Sequence, residues 1–180
     1  MTHNYSNSYR NVSIRPLSAK DIENIRVWRN DPANGKYLSQ INTITPEMQQ
    51  EWFDNYVKDP ETIFWAIDES ASLSRMVGSA ALYEISENSA LFGKILIGDN
   101  EAHGKHVGVN ATIAILQIAF DIMRLNTVTL YVYSDNVPAV KVYTKAGFKI
   151  IDKHMTSENR TEYTMEIGIQ DWSEKSAKLE

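Results

Sequence analysis

Two short stretches hold residues whose types and spacing suit chemistry. The first, His103-Gly104-Lys105-His106-Val107-Gly108, lies between a strand-like run ending near Ile97 and a long apolar run with helical spacing. A strand, a tight loop and a helix start bring consecutive backbone N–H groups and the positive end of a helix dipole to one point, which suits a phosphate. Gly104 and Gly108 allow the backbone to approach an anion closely, and Lys105, with His103 or His106 when protonated, adds charge. A plain turn is the other use of two glycines before a helix, and the lysine-serine/threonine pair that closes a P-loop is absent. The second stretch runs from Ser134 to Phe148 and reads as a capped helix: Asp135 or Asn136 caps it, Pro138 sits in the first turn and Gly147 ends it. Asn136, Ala139 and Tyr143 share one face at helical spacing. A phenol of ordinary pKa, about 10, can give a proton to a departing anion. A half-buried tyrosine bonded to a backbone carbonyl is the structural alternative.

The elements that must position these residues follow from periodicity. NVSIRPL alternates as a strand, and SAKDIENIRVWRND reads as a helix capped by Ser18 with Asp21 in its first turn. TPEMQQEWFDNYVKDP predicts a second helix, with Thr45 as cap and Pro46 at the first position. TIFWAID, SRMVGSAALYEI and SALFGKILIG then read as an antiparallel meander. A helix from Val107 to about Arg124 follows, apolar on most sides and therefore in need of cover on two faces, by a neighbouring helix or by a second subunit. A strand TLYVYS, the capped helix and two last strands complete the order. Residues 1–10 are expected to be disordered, 11–172 to form one domain and 173–180 to be a polar tail. The fold class is α+β, a mixed, mostly antiparallel sheet of six to seven strands flanked by about four helices.

Composition narrows the function. The 180 residues, 43% hydrophobic and 23% charged, suffice for one buried core. Without cysteine there is no disulfide, thiolate zinc site or cysteine nucleophile. A net charge of −5 argues against a dedicated nucleic-acid binder. No apolar run is long enough to span a membrane and the polar start has no signal-type stretch, so a cytoplasmic protein is expected. The four histidines lack metal-ligand spacing, and no metal is expected.

Read together, FGKILIGDNEAHGKHVG and SDNVPAVKVYTKAGF resemble the two halves of the coenzyme A site of the GNAT acetyltransferase superfamily. The family's loop pattern is Gln/Arg-x-x-Gly-x-Gly/Ala. His103 stands at its first position and Gly108 at its last, while His106 occupies the place of the middle glycine. IRPLSAKDIENIRVWRNDP resembles the RimJ/RimL-like branch, and WRND followed by the TPEMQQEWF helix also resembles aminosugar acetyltransferases of the pseudaminic-acid pathway type.

The resemblance implies acetyl-CoA as donor. Its pyrophosphate would lie on residues 103–108, Asn136 would pair with a pantetheine amide, and Ala139 would leave room for close approach. Lys145 and Lys141 would approach the 3′-phosphate. The thioester would enter a V-shaped gap between the strand ending near Ile97, which carries a bulge, and TLYVYS. Backbone N–H groups near Leu96 and Ile97 would hold the oxyanion, and Tyr143 would be the general acid. Direct attack by a neutral amine needs no covalent intermediate but does need a base. Glu84 is the first candidate for it, ahead of Glu101 and His103, although it suits a surface group or a substrate anchor equally. Trp28, Arg29 and Asn30 fall near the acceptor side in related folds. The expected acceptor is a small-molecule amine such as an aminosugar nucleotide, with a protein N-terminus or a non-catalytic acyl-CoA-binding domain as alternatives. A homodimer is a further expectation.

Overall fold

Local signals start most elements of the computed structural model, which describes residues 3–37 and 42–179. The Thr45 side chain accepts from the Met48 amide and Pro46 opens the following helix, as their types predict. Ser18 and Asp21 form a reciprocal capping box, and Asp21 is further gripped by Arg15 at 2.8 and 2.9 Å. Gly147 ends its helix at φ 115°, a left-handed conformation open to glycine.

The helices are α1 (Ile22–Asn30), α2 (Pro46–Tyr56), α3 (Val107–Gln117), α4 (Val137–Ala146) and α5 (Ile169–Ser176), and a π-helical turn (Ile118–Ile122) prolongs α3. Eight strands form one sheet: β1 (Asn7–Tyr9), β2 (Val12–Pro16), β3 (Ile63–Glu69), β4 (Arg75–Tyr83), β5 (Ser89–Ile97), β6 (Thr127–Tyr133), β7 (Lys149–Met155) and β8 (Thr161–Gly168). Their order is β1-β2-β3-β4-β5-β6-β8-β7. All neighbours are antiparallel except β5 and β6. The α+β class and the meander are as expected; among the described residues the sheet has eight strands rather than six to seven, with five α-helices where about four were expected.

Each face of the sheet has its own core. Ile14, Trp65, Leu82, Phe92 and Leu130 pack on one face with residues of α3 and α4. On the other, Leu17, Ile25, Tyr56, Phe64 and Ala81 form a smaller cluster beneath α1 and α2. Helix α3 packs on the sheet against β1, β2 and β5 and is flanked by α4 within the chain. Among the described residues, no helix is long and apolar enough to cross a membrane.

Both ends of the chain depart from expectation. Residues 3–10, expected to be disordered, are tied down: β1 pairs with β2, Asn7 Nδ2 donates to the Ala114 carbonyl at 3.0 Å, and Trp65 Nε1 donates to the Tyr5 carbonyl at 2.9 Å. Polar composition hid this because the asparagine and the backbone find their partners far away in sequence. Residues 173–176 of the expected tail belong to α5, where Trp172 is 1% exposed, stacks on Phe120 and donates to Asp121 Oδ1 at 3.0 Å.

One irregularity shapes the middle of the sheet. Strands β5 and β6 pair only at Ser89–Thr127, Ala90–Val128 and Leu91–Thr129. Beyond Leu91 they diverge. Against β4, the register passes from Ala81–Gly93 to Ser79–Leu96, so β5 carries one residue more than its neighbour over that interval. Lys94 lies in this bulge at φ 50°. A bulge bends its strand and increases local twist, and here it leaves a wedge-shaped gap open towards Ile97 and Tyr133.

Candidate active site

The mouth of the gap faces the loop at the head of α3. Gly104 has φ 79°, and His106 caps α3 at φ 60°, ψ 17°. The position where the loop pattern has glycine thus demands a left-handed backbone, which histidine tolerates better than most residues. Among the described residues, the N–H groups of His106, Val107, Gly108 and Val109 donate to no partner, while the Asn110 N–H already donates to the His106 carbonyl at 3.1 Å. These free donors converge at the positive end of the helix dipole, a ready anion site. His103 is exposed and its Nε2 donates to the Ile97 carbonyl at 3.2 Å, pinning the loop to the end of β5. Lys105 is half-buried, with its carbonyl held by Asn11 Nδ2 at 3.1 Å.

Asn11 anchors more than this carbonyl. Its Oδ1 accepts from Asn110 Nδ2 at 2.7 Å, and its Nδ2 also reaches Glu69 Oε1 at 3.1 Å. Glu69, 1% exposed, accepts from the backbone N–H groups of Ala71, Ser72 and Leu73 at 3.2, 2.8 and 2.7 Å. These N–H bonds hold its carboxyl far below the usual range, at about 2. A polar chain therefore runs from the β3–β4 turn through Asn11 to the first turn of α3.

Helix α4 forms the opposite wall. Asn136 caps it, with Oδ1 accepting from the Ala139 N–H at 3.3 Å, so its amide oxygen is in use within the chain. The turn before it is braced by Arg160, which pairs with Asp135 at 2.9 Å and lies 3.5 Å over the Tyr133 ring, and by Tyr37, whose hydroxyl donates to the Asp135 carbonyl at 2.8 Å. Ala139 is half-buried and Lys145 is exposed in the last turn. The two walls meet at Gly108: a Cβ there would lie 3.6 Å from Val142 of α4.

Tyr143 is 6% exposed, edge-on to Phe92 and Phe148 with centroids 6.0 Å away in each case. Among the described residues its hydroxyl has no hydrogen-bond partner. Burial, reinforced by the nearby Tyr83, pushes the phenol well above its ordinary value. Buried hydroxyls are normally bonded. An unpartnered one beside the diverging strands fits a group that completes its interactions with a bound molecule.

Alternation along β5 sorts the backbone donors. The Gly98 N–H donates to the Val77 carbonyl on β4 at 3.0 Å, so Leu96, two residues earlier, also points its backbone groups at β4. Ile97 points the other way, as the His103 contact with its carbonyl shows. Of the two expected oxyanion donors, Ile97 faces the gap and Leu96 does not.

On the α1–α2 side, Glu84 is exposed at φ 50°, one residue past β4. It bears on Tyr83 and Lys94, two groups that spacing alone did not single out. The Lys94 ammonium lies 4.7 Å from the Tyr83 ring centroid and 5.3 Å from that of Phe64. Strand alternation through Ser79, Ala81 and Tyr83 was the available signal for the tyrosine, whereas the lysine depends on the bulge. Trp28 covers Gly98, where a Cβ would come within 2.1 Å of its ring. Arg29 is half-buried. Asn30 turns both ends of its amide to Ile44, donating to the carbonyl at 2.8 Å and accepting from the N–H at 2.9 Å, which makes it a brace for the α1–α2 connection. Among the described residues no histidine and carboxylate cluster suits a metal.

The sequence pattern of the acetyltransferase (GNAT) domain matches residues 11–149. The chain belongs to the GNAT acetyltransferase family. It is an acetyltransferase, and its acyl donor is acetyl-CoA, which the free N–H groups at α3 and the unpartnered Tyr143 phenol fit. Acetyltransferase PseH of Campylobacter jejuni is 26% identical over 137 residues, covering 76% of this chain and 82% of that protein. Spermidine N-acetyltransferase from Vibrio cholerae, solved in complex with CoA and spermine, superposes with a TM-score of 0.79 at 20% identity, covering 91% of this chain and 98% of that one. A GNAT-family acetyltransferase from Bacillus anthracis gives 0.79 at 17% identity over 92% and 99%. At these identities the two solved structures establish the shared GNAT fold.

Proposed function

We propose that this acetyltransferase modifies the primary amine of a small molecule, an aminosugar nucleotide, by direct attack within the β5–β6 gap. The observation that carries the reading is the buried, unpartnered Tyr143 phenol beside that gap. Acetyl-CoA supplies an activated acetyl thioester. In this reading the free N–H groups of residues 106–108 hold its pyrophosphate, with His103, Gly104 and Lys105 shaping the loop. Asn136, Ala139 and Lys145 line its path along α4. The Ile97 N–H faces the position where negative charge develops on the acetyl oxygen.

The amine nitrogen forms its bond to the acetyl carbon while the carbon–sulfur bond breaks, and Tyr143 donates a proton to the departing sulfur. A phenol pushed upward by burial stays protonated across the physiological range and so remains able to donate. The ammonium proton of the acceptor passes to Glu84, directly or through water. The resemblance of WRND and the TPEMQQEWF helix to aminosugar acetyltransferases supports a small-molecule acceptor of that class.

The test is release of free thiol from acetyl-CoA with a panel of amines: aminosugar nucleotides, spermidine and a peptide with a free N-terminus. Turnover with an aminosugar nucleotide at least tenfold faster than with the other two is expected. Preference for the peptide or for spermidine overturns the acceptor assignment.

A further inference from the structure

Phe92 and Gly93 stand where β5 leaves β6, since Leu91–Thr129 is the last pairing of the two strands. Two phenols approach that point from opposite faces of the sheet. On the face that carries α3 and α4, Tyr143 lies edge-on to the Phe92 ring. On the α1–α2 face, Tyr83 leans across from β4 and lies over Gly93: a Cβ there would come within 3.2 Å of its Cε1 and 3.3 Å of its hydroxyl oxygen. Tyr83 is paired with Leu91, so Gly93 is the diagonal neighbour that a long side chain reaches on the same face. Gly93 serves this contact and not a special backbone, because only Gly104 and Gly147 among the described glycines have positive φ. Consecutive Cα atoms are about 3.8 Å apart, so the two phenols border the same stretch of the β5–β6 gap.

The Tyr83 side chain is half-buried, and its hydroxyl has no hydrogen-bond partner among the described residues. The Lys94 ammonium, 4.7 Å from the ring centroid, holds the ring by its face. The other titratable groups that bear on it are Glu84, next along the chain, Tyr131 of β6, Glu162 of β8 and Tyr143 of α4. Burial, with Glu84, Tyr131 and Glu162 adding to it, pushes the Tyr83 phenol above its ordinary value. It therefore keeps its proton near neutral pH and is not by itself the base that an acceptor ammonium requires. A protonated phenol can still pass a proton on, receiving one on oxygen as its own leaves. Glu84 stands next to it as the receiver: its left-handed backbone, φ 50°, takes it out of strand alternation immediately after β4 ends at Tyr83.

We infer that Tyr83 is a second catalytic phenol, which takes a hydrogen bond from the acceptor amine in the gap and relays the amine's proton to Glu84. This rests on the direct attack proposed above and supplies the group that meets the nitrogen. An N–H proton of the ammonium moves to the Tyr83 oxygen as the phenol's own proton moves, through water, to the Glu84 carboxylate. The phenol ends as it began, and the nitrogen is left with the lone pair that attacks the acetyl carbon. When the carbon–sulfur bond breaks, sulfur takes the Tyr143 proton, and the surplus proton of the new amide nitrogen restores that phenol.

The test is a pH profile of thiol release with two substitutions, using whichever amine of the panel above the enzyme acetylates fastest. Tyr83→Phe keeps the ring over Gly93 and under Lys94. It is expected to lower kcat/KM for the amine at least about tenfold at pH 7 and to leave the KM for acetyl-CoA unchanged. The deficit should close as pH rises towards the amine's own pKa, because an amine that arrives neutral needs no relay. Gly93→Ala displaces the phenol without removing it, so it is expected to lower kcat/KM in the parent and to have no further effect in Tyr83→Phe. Full activity of Tyr83→Phe at pH 7 overturns the relay. So does a deficit of equal size at every pH, which is the mark of a packing role, or a Gly93→Ala loss that is the same with and without the Tyr83 hydroxyl. The relay concerns only the amine, so a preference for the peptide or for spermidine removes the aminosugar assignment and leaves the relay standing. Turnover of an aminosugar nucleotide with a pH-independent deficit removes the relay alone, and turnover of no amine overturns both.

Discussion

Asn11 donates from Nδ2 to the Lys105 carbonyl at 3.1 Å and thereby ties the β1–β2 turn to the loop at the head of α3. Its other contacts, to Asn110 and Glu69, make it the joint between the phosphate-binding loop and the sheet.

Asn11→Ala should therefore act on coenzyme binding as well as on stability. A buried hydrogen bond contributes about 1 kcal/mol, and the orphaned Asn110 amide adds a cost of similar size. Acetyl-CoA affinity, measured by titration, is expected to fall roughly three- to tenfold, alongside a lowered urea midpoint. A lowered midpoint with full affinity would show that the loop holds its shape without Asn11.

Glu69 confers an acid-sensitive contribution to stability. Its folded-state carboxyl, at about 2, lies below its unfolded value, so the contribution is complete above the ordinary carboxylate range and is lost as pH falls through that range towards 2. Glu69→Gln is expected to lower the thermal midpoint at pH 7 and to flatten its decline between pH 5 and 2. A parallel decline in both proteins would place the acid sensitivity elsewhere.

Tyr143→Phe separates catalysis from folding. Loss of a positioned proton donor reduces kcat by about 10² to 10⁴, while acetyl-CoA binding is retained. Because the buried hydroxyl has no partner among the described residues, its removal should leave the thermal midpoint unchanged or raised. A variant with normal kcat would exclude the phenol as the acid.

His106 occupies a left-handed position that a β-branched side chain resists, at a cost of about 1–2 kcal/mol. His106→Gly is expected to bind acetyl-CoA within about threefold of the parent, and His106→Val to bind at least about tenfold more weakly. Equal loss in both variants would instead assign the imidazole a direct role at the phosphate.

Gly98→Ala would force a methyl group into the Trp28 ring, which cannot yield without moving the end of α1. Destabilisation of about 1–3 kcal/mol is expected, with a raised KM for the acceptor and an unchanged KM for acetyl-CoA. A selective rise in the acetyl-CoA KM would show that Trp28 serves the donor side.

What the sequence determined by itself is local. Thr45 and Pro46 start α2, Asn136 and Gly147 bound α4, and the spacing of Gly104, His106 and Gly108 marks the head of α3, because caps, φ preferences and helical periodicity act over a few residues. Tyr143 was legible for the same reason: its face is set by its distance from Asn136. What only the tertiary structure decided joins distant segments. The order of residues 3–10 depends on Ala114 and Phe64, and the burial of Trp172 on Phe120 and Asp121. The left-handed backbone of His106, the orientation of Ile97 into the gap and the brace role of Asn30 all follow from register and loop closure, which no single-residue propensity encodes. Lys94 faces Tyr83 and Phe64 because one extra residue in β5 reverses the alternation there, and register between strands is fixed by the sum of contacts across the sheet.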